Sequence, residues 1–194
     1  SSSLKASYSQ NYQYIHLASL SGISLPTDTW VPSSDRVKPQ FGTQYALGYF
    51  KNFKNNTYET SVEAYYKTMK NQIEYEEGFL PENQVNGNLD NFFVFGKGWS
   101  YGAEFFLKKS KGRFSGWIGY TLAWTKREFP ELNLGKEFYP KYDRRHDISV
   151  VLTYELGKRI VFGATWVYAT GNLNTFPEKL YFPGMYSDFR LHIP

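Results

Sequence analysis

The chain has 194 residues and a net charge of +4, with Lys and Arg scattered and not gathered into a basic run, which argues against nucleic acid as a partner. Aromatics make up 20% of the residues while mean hydropathy is -0.52, and no apolar run reaches the roughly 18 residues of a transmembrane helix. Cysteine is absent, which excludes disulfides and thiolate metal sites.

Tyr and Trp favour places where one end of the ring is wet and the other apolar. Strands that alternate apolar and polar residues keep hydropathy low even when one whole face is apolar, so a membrane β-barrel stays open where a helix does not.

In chain order, alternation predicts strands at Leu4 to His16, Thr43 to Lys51 and Tyr58 to Lys70, the last with Tyr58, Val62, Ala64 and Tyr66 opposing Glu59, Ser61, Glu63 and Lys67. Trp99 to Leu107 follows, with Trp99, Tyr101, Ala103, Phe105 and Leu107 opposing Ser100, Gly102, Glu104, Phe106 and Lys108. Phe114 to Trp124 sets Phe114, Ile118, Tyr120, Leu122 and Trp124 on one side. Ile148 to Leu156 sets Ile148, Val150, Leu152, Tyr154 and Leu156 against Asp147, Ser149, Val151, Thr153 and Glu155. Ile160 to Tyr168 closes the series, with Phe162 and Trp166 in its apolar set. These are about seven strands of roughly the ten residues that cross a bilayer at a tilt.

The connections alternate strictly. Short turns are expected at Phe53 to Asn56, Lys109 to Gly112 and Leu156 to Lys158, each with Gly or Asn able to take positive φ. Long ones are expected at about 17 to 42, 72 to 98, 127 to 143 and from 170 onward, and they hold Pro26, Pro32, Pro39, Pro81, Pro130, Pro140 and Pro177, while the strands hold no proline. Tight turns at one rim and long loops at the other are the layout of outer-membrane barrels, turns periplasmic and loops extracellular.

Several stretches then resemble one family. They include Leu25-Pro26-Thr27-Asp28-Thr29-Trp30-Val31-Pro32-Ser33, Ala46-Leu47-Gly48-Tyr49-Phe50-Lys51-Asn52, Tyr101-Gly102-Ala103-Glu104-Phe105-Phe106, Gly116-Trp117-Ile118-Gly119-Tyr120-Thr121-Leu122 and Val167-Tyr168-Ala169-Thr170-Gly171-Asn172. The most specific is Tyr142, Asp143, Arg144, Arg145, His146 and Asp147 at a strand entrance. Together they look like the C-terminal barrel region of Bacteroidetes TonB-dependent outer-membrane receptors of the carboxypeptidase-like regulatory domain type. The resemblance implies a 22-stranded barrel of the bacterial outer membrane, plugged by an N-terminal domain and importing ligands too large for porins with energy relayed by TonB. Residues 1–194 would then be part of a single barrel domain, with plug, signal peptide and final strands outside the chain.

The expected fold class is thus all-β, an antiparallel transmembrane barrel segment of about seven strands. Its lipid-facing residues would be Tyr101, Phe105, Ile118, Tyr120, Leu122, Ile148, Val150, Leu152, Tyr154, Phe162 and Trp166. Partners would be outer-membrane lipid, the rest of the barrel and plug, the TonB complex through regions outside this chain, and a candidate surface lipoprotein. No cofactor is expected.

Asp143, His146 and Asp147 form the densest polar cluster, but alternation sends Asp147 to the lumen and His146 to the other face, which favours a structural or salt-bridge role over acid–base work. No enzyme activity is expected, and no nucleophile turn is expected to hold a Ser-His-Asp set. A metal site would need the fold to gather His16 and His192. Gly96-Lys97-Gly98 reads as a strand-entrance turn, and Glu74, Glu76 and Glu77 as a solvated loop rim. Trp30, Phe92, Phe93 and Phe95 are candidate ligand contacts from the loops, with packing against neighbouring loops as the other reading. The alternatives of another class are a self-contained outer-membrane barrel enzyme, protease-like and using the Asp143, His146, Asp147 cluster, or a channel independent of TonB.

Overall fold

The computed structural model describes residues 1–18, 29–76, 89–171, 179–180 and 191–192, and among these the chain is all-β with no α-helix. The strands are β1 (Ser2–Gln13), β2 (Ile15–Ala18), β3 (Thr29–Pro32), β4 (Gln40–Phe53), β5 (Tyr58–Tyr75), β6 (Phe93–Lys109), β7 (Phe114–Glu128), β8 (His146–Leu156), β9 (Ile160–Ala169), β10 (Lys179–Leu180) and β11 (Leu191–His192). Seven of them form one antiparallel sheet in the order β1-β4-β5-β6-β7-β8-β9, while β2 pairs β3 and β10 pairs β11.

All three tight turns lie at one end of the sheet. Lys54, Asn55 and Asn56 take φ of 50°, 51° and 58° in the first, where Asn tolerates the left-handed region that most side chains avoid. The turns are tied edge to edge: the Ser110 amide donates to the Thr57 carbonyl at 2.9 Å, and the Glu155 amide to the Arg113 carbonyl at 2.8 Å.

Directly paired residues of an antiparallel sheet point to the same side, so the register defines two faces. One row runs Leu4, Tyr49, Val62, Phe105, Tyr120, Ile148, Tyr168, and a second runs Tyr8, Tyr45, Tyr66, Tyr101, Trp124. Ile118 pairs Val150, which pairs Trp166; Leu152 pairs Ala164; Tyr154 pairs Phe162; Leu122 pairs Ala103. The eleven residues expected to face lipid therefore lie on one face of the sheet. The opposite face carries Lys5, Glu63, Lys67, Glu104, Thr121, Asp147 and Thr153, with apolar residues among them: Phe106 beside Trp117 at 6.0 Å, Phe50 and Tyr65, and Val151, Val161 and Val167 in β8 and β9.

The strands are longer at the loop end than alternation suggests. The stretch 72 to 98, expected as a loop, is strand at both ends: Gln72 to Tyr75 pair with Phe93 to Gly96. The reason is a bulge. Between Met69 and Gln72 the register shifts, Asn71 takes φ 56°, and its side-chain amide donates to the Pro39 carbonyl at 2.8 Å. One extra residue exchanges the faces of everything beyond it. Ile73 and Tyr75 thereby reach the apolar side, and Gln72 and Glu74 the polar side. Gly96-Lys97-Gly98 is likewise strand and not a turn.

The buried core sits beyond this bulge. Ala18 and Val31 of the β2–β3 pair, Val37, Ile73, Tyr75 and Phe93 form one cluster, with Phe92 and Phe95 packed against it. The strand predicted over Leu4 to His16 ends at Gln13, and His16 belongs to β2, which folds with β3 over the sheet extension.

Candidate functional site

The loop end is assembled from both faces. On the apolar side the β2–β3 hairpin covers Ile73 and Phe93, which are 3% and 2% exposed. Alternation within β2 turns His16 and Ala18 inward and leaves Ile15 and Leu17 outside. His16 Nε2 and Ser33 Oγ lie 3.0 Å apart, and burial lowers the imidazole pKa from its ordinary value.

On the polar side Phe129 is fully buried against Gly96, where an added Cβ would lie 2.4 Å from the Glu128 carbonyl and 2.6 Å from the Phe129 ring. Only glycine allows this approach. Phe129 in turn meets Phe138 at 5.9 Å, and Phe138 bridges back to Arg127 through a reciprocal pair of 2.9 Å backbone hydrogen bonds. The 129–145 connection thus folds back upon β7.

Glu74 lies between these layers and is not on a solvated rim. Its carboxylate accepts from Arg127 at 3.1 Å, and burial raises its pKa to about 7 against the opposing pull of that guanidinium. Glu76 follows the strand and is exposed, and Glu77 lies outside the described residues. A carboxyl held protonated more readily in the fold than in the unfolded chain stabilises the fold at low pH. That contribution declines as pH rises from about 4.5 to about 7, an effect of about 3 kcal/mol in order of magnitude. Amide exchange across the β5–β6 extension, corrected for intrinsic rates, should report openings on the order of a hundredfold more frequent at pH 8 than at pH 5. Glu74→Gln should flatten that dependence.

At the strand entrance Asp143 is 6% exposed and both its oxygens are engaged. Oδ1 accepts from the Thr125 amide at 2.7 Å and Oδ2 from Arg145 at 3.1 Å. β8 begins only at His146, paired with Leu122, so Asp143 supplies by side chain the acceptor that β7 would otherwise lack beyond the end of its partner. Arg145 lies over the rings of Trp124 and Tyr139 at 4.9 and 5.1 Å. His146 Nδ1 and the Tyr120 hydroxyl are 2.9 Å apart, on the face opposite Asp147. No hydrogen bond or ion pair among the described residues joins His146 to Asp143 or Asp147.

Gly98-Trp99-Ser100-Tyr101-Gly102 spells the Gly-x-Ser-x-Gly pattern. Ser100 lies mid-strand in β6, its hydroxyl 3.1 Å from that of Thr125, and not on the sharp strand-to-helix turn that would present a nucleophile.

Of the loop aromatics, Phe93 is core, Phe92 and Phe95 pack against it, and Trp30 is 64% exposed. Leu134, which alternation does not single out, is the most exposed large hydrophobic among the described residues at 92%, held at φ 55° in the 129–145 connection. Among the described residues no group of three or more His, Cys, Asp or Glu is placed to hold a metal ion, and the His192 side chain lies outside them.

The chain matches no family model, no curated protein and no solved structure.

Proposed function

We propose that this chain is a wall and outward-loop section of a TonB-dependent outer-membrane receptor, importing a ligand too large for porins. The observation that carries the membrane part is a contrast along one face of the same strands. Between turn and bulge that face is apolar and bare, with Leu47 53%, Val62 43% and Ile118 44% exposed; past the bulge it is covered. A soluble sheet would bury this face along its whole length, whereas a bilayer covers only the span. Tyr58 to Tyr66 is the length a tilted strand uses to cross, and Glu74 lies well beyond it.

The open edges of β1 and β9 would carry unsatisfied amides and carbonyls in lipid. On this reading further strands of a longer chain cover them and close the barrel. The polar face lines the lumen, and the loop end with Trp30 and Leu134 faces outward. The receptor family itself rests on the motif resemblance, above all Tyr142 to Asp147.

The test uses single cysteines in a cysteine-free full-length protein in intact cells. An impermeant maleimide is expected to label Leu134→Cys in the 129–145 connection directly, and Lys158→Cys at a tight turn only after the outer membrane is opened. Equal labelling of both in intact cells would count against the reading.

A further inference from the structure

The short-turn rim has a charge unlike the rest of the molecule. The segments 51–59, 107–114 and 154–160 hold Lys51, Lys54, Lys108, Lys109, Lys111, Arg113, Lys158 and Arg159 against two carboxylates, Glu59 and Glu155. That is a net +6 in a chain of net +4, so everything else sums to -2. The three turns are hydrogen-bonded edge to edge, and Lys111 Nζ donates to the Asn55 carbonyl across the first pair, so the cations form one continuous strip.

Internal pairing consumes little of this charge. Glu59 is taken by Lys108 at 3.6 Å, Lys109 Nζ donates to the Lys111 and Phe114 carbonyls, and Lys54 lies over the Tyr58 ring. Arg113, Lys158 and Arg159 are exposed, with no side-chain hydrogen bond or ion pair among the described residues. Among these cations, on the apolar face, stand Phe53 and Tyr58, stacked at 5.1 Å, then Phe114, Tyr154 and Phe162. Cations at the edge of an aromatic row match the depth profile of a leaflet surface, rings at the interface and ammonium or guanidinium groups reaching the phosphates.

We infer that this rim binds the phosphates of anionic phospholipid headgroups in the adjoining leaflet. The inference rests on the membrane reading proposed above and adds a lipid preference to it. A free polyanion would meet the same cations, but the flanking aromatic row has a use only where acyl chains begin, which favours lipid. Each Lys or Arg near an anionic surface contributes about a fivefold change in affinity, screened by salt.

The experiment uses the full-length protein in zwitterionic detergent with phosphatidylglycerol or phosphatidylcholine, bound lipid being counted by native mass spectrometry, and vesicle insertion measured in parallel. The wild type should retain phosphatidylglycerol more than fivefold over phosphatidylcholine, less so in high salt. Combined Arg113→Gln, Lys158→Gln and Arg159→Gln should cut the ratio at least fivefold, while Lys136→Gln with Lys141→Gln at the loop end should leave it unchanged. Insertion into vesicles without any preference, or a preference that survives the triple substitution, would overturn the inference and leave the membrane reading standing. Equal retention of soluble polyphosphate would overturn the lipid source. A wild type that fails to insert would overturn the membrane reading together with the inference.

Discussion

Gly116→Val in the full-length protein is expected to lower stability by about 3 kcal/mol or more. Gly116 sits in β7 at φ 149°, a conformation that L residues seldom adopt, and a Cβ built there would lie 2.1 Å from the Val151 carbonyl oxygen and 3.0 Å from the Leu152 Cα. Both contacts are backbone, so no side-chain rotation relieves them. β7 and β8 would have to separate where Gly116 pairs Leu152, removing ladder hydrogen bonds at the turn end of the β7–β8 pair. Gly163 of β9 is the internal control: its Cβ would meet nothing within 4 Å, and Gly163→Val should change stability by less than about 1 kcal/mol. Urea midpoints of the two variants, measured on refolding into lipid vesicles, would separate them; similar midpoints would mean that β7 and β8 do not approach as described.

Much of the sheet is legible in the sequence because its physics is local. A strand with two unlike neighbours alternates with period two, and β8 does so most clearly, Ile148, Val150, Leu152 and Tyr154 standing between Asp147, Ser149, Thr153 and Glu155, whereas β9 carries Val161 and Val167 on its second face and β7 ends in Lys126, Arg127 and Glu128. The expected facing of Ile148, Val150, Leu152 and Tyr154 agrees with the register for that reason. Turn residues are equally local, since Asn55, Gly112 and Gly157 each take a positive φ.

The loop end is less legible because its determinants are distant contacts. Alternation along β5 breaks at Asn71, so Ile73 and Tyr75 fall out of phase, and a reader of pattern alone stops at Lys70. Gly96 and Gly98 look like turn residues until Phe129, more than thirty positions on, is seen filling the space that a side chain at 96 would take. Glu74 sits among acidic residues and reads as solvated, yet its partner Arg127 belongs to another strand 53 positions away. The β2–β3 hairpin is short and its burial pattern depends wholly on what it covers. In the strand-entrance motif Tyr142 to Asp147 the residues stand out by density, but the work of Asp143 as acceptor for the Thr125 amide follows only from where β8 begins.

The membrane reading depends on which face of the wall meets lipid, and adjacent residues of β8 test it with one chemistry at one depth. Val150 pairs Ile118 and Trp166 on the bare apolar face, and Ser149 pairs Gly119 and Val167 on the polar one. Arg at a lipid-facing position near the midplane costs about 2 to 4 kcal/mol, falling toward the interfaces, whereas a lumen position accommodates it in water. Refolding of the full-length protein into vesicles, followed through a urea titration, should place Val150→Arg about 2 to 4 kcal/mol below the wild type and Ser149→Arg within about 1 kcal/mol of it. Equal losses, or a larger loss at Ser149, would contradict the assignment of the apolar face to lipid.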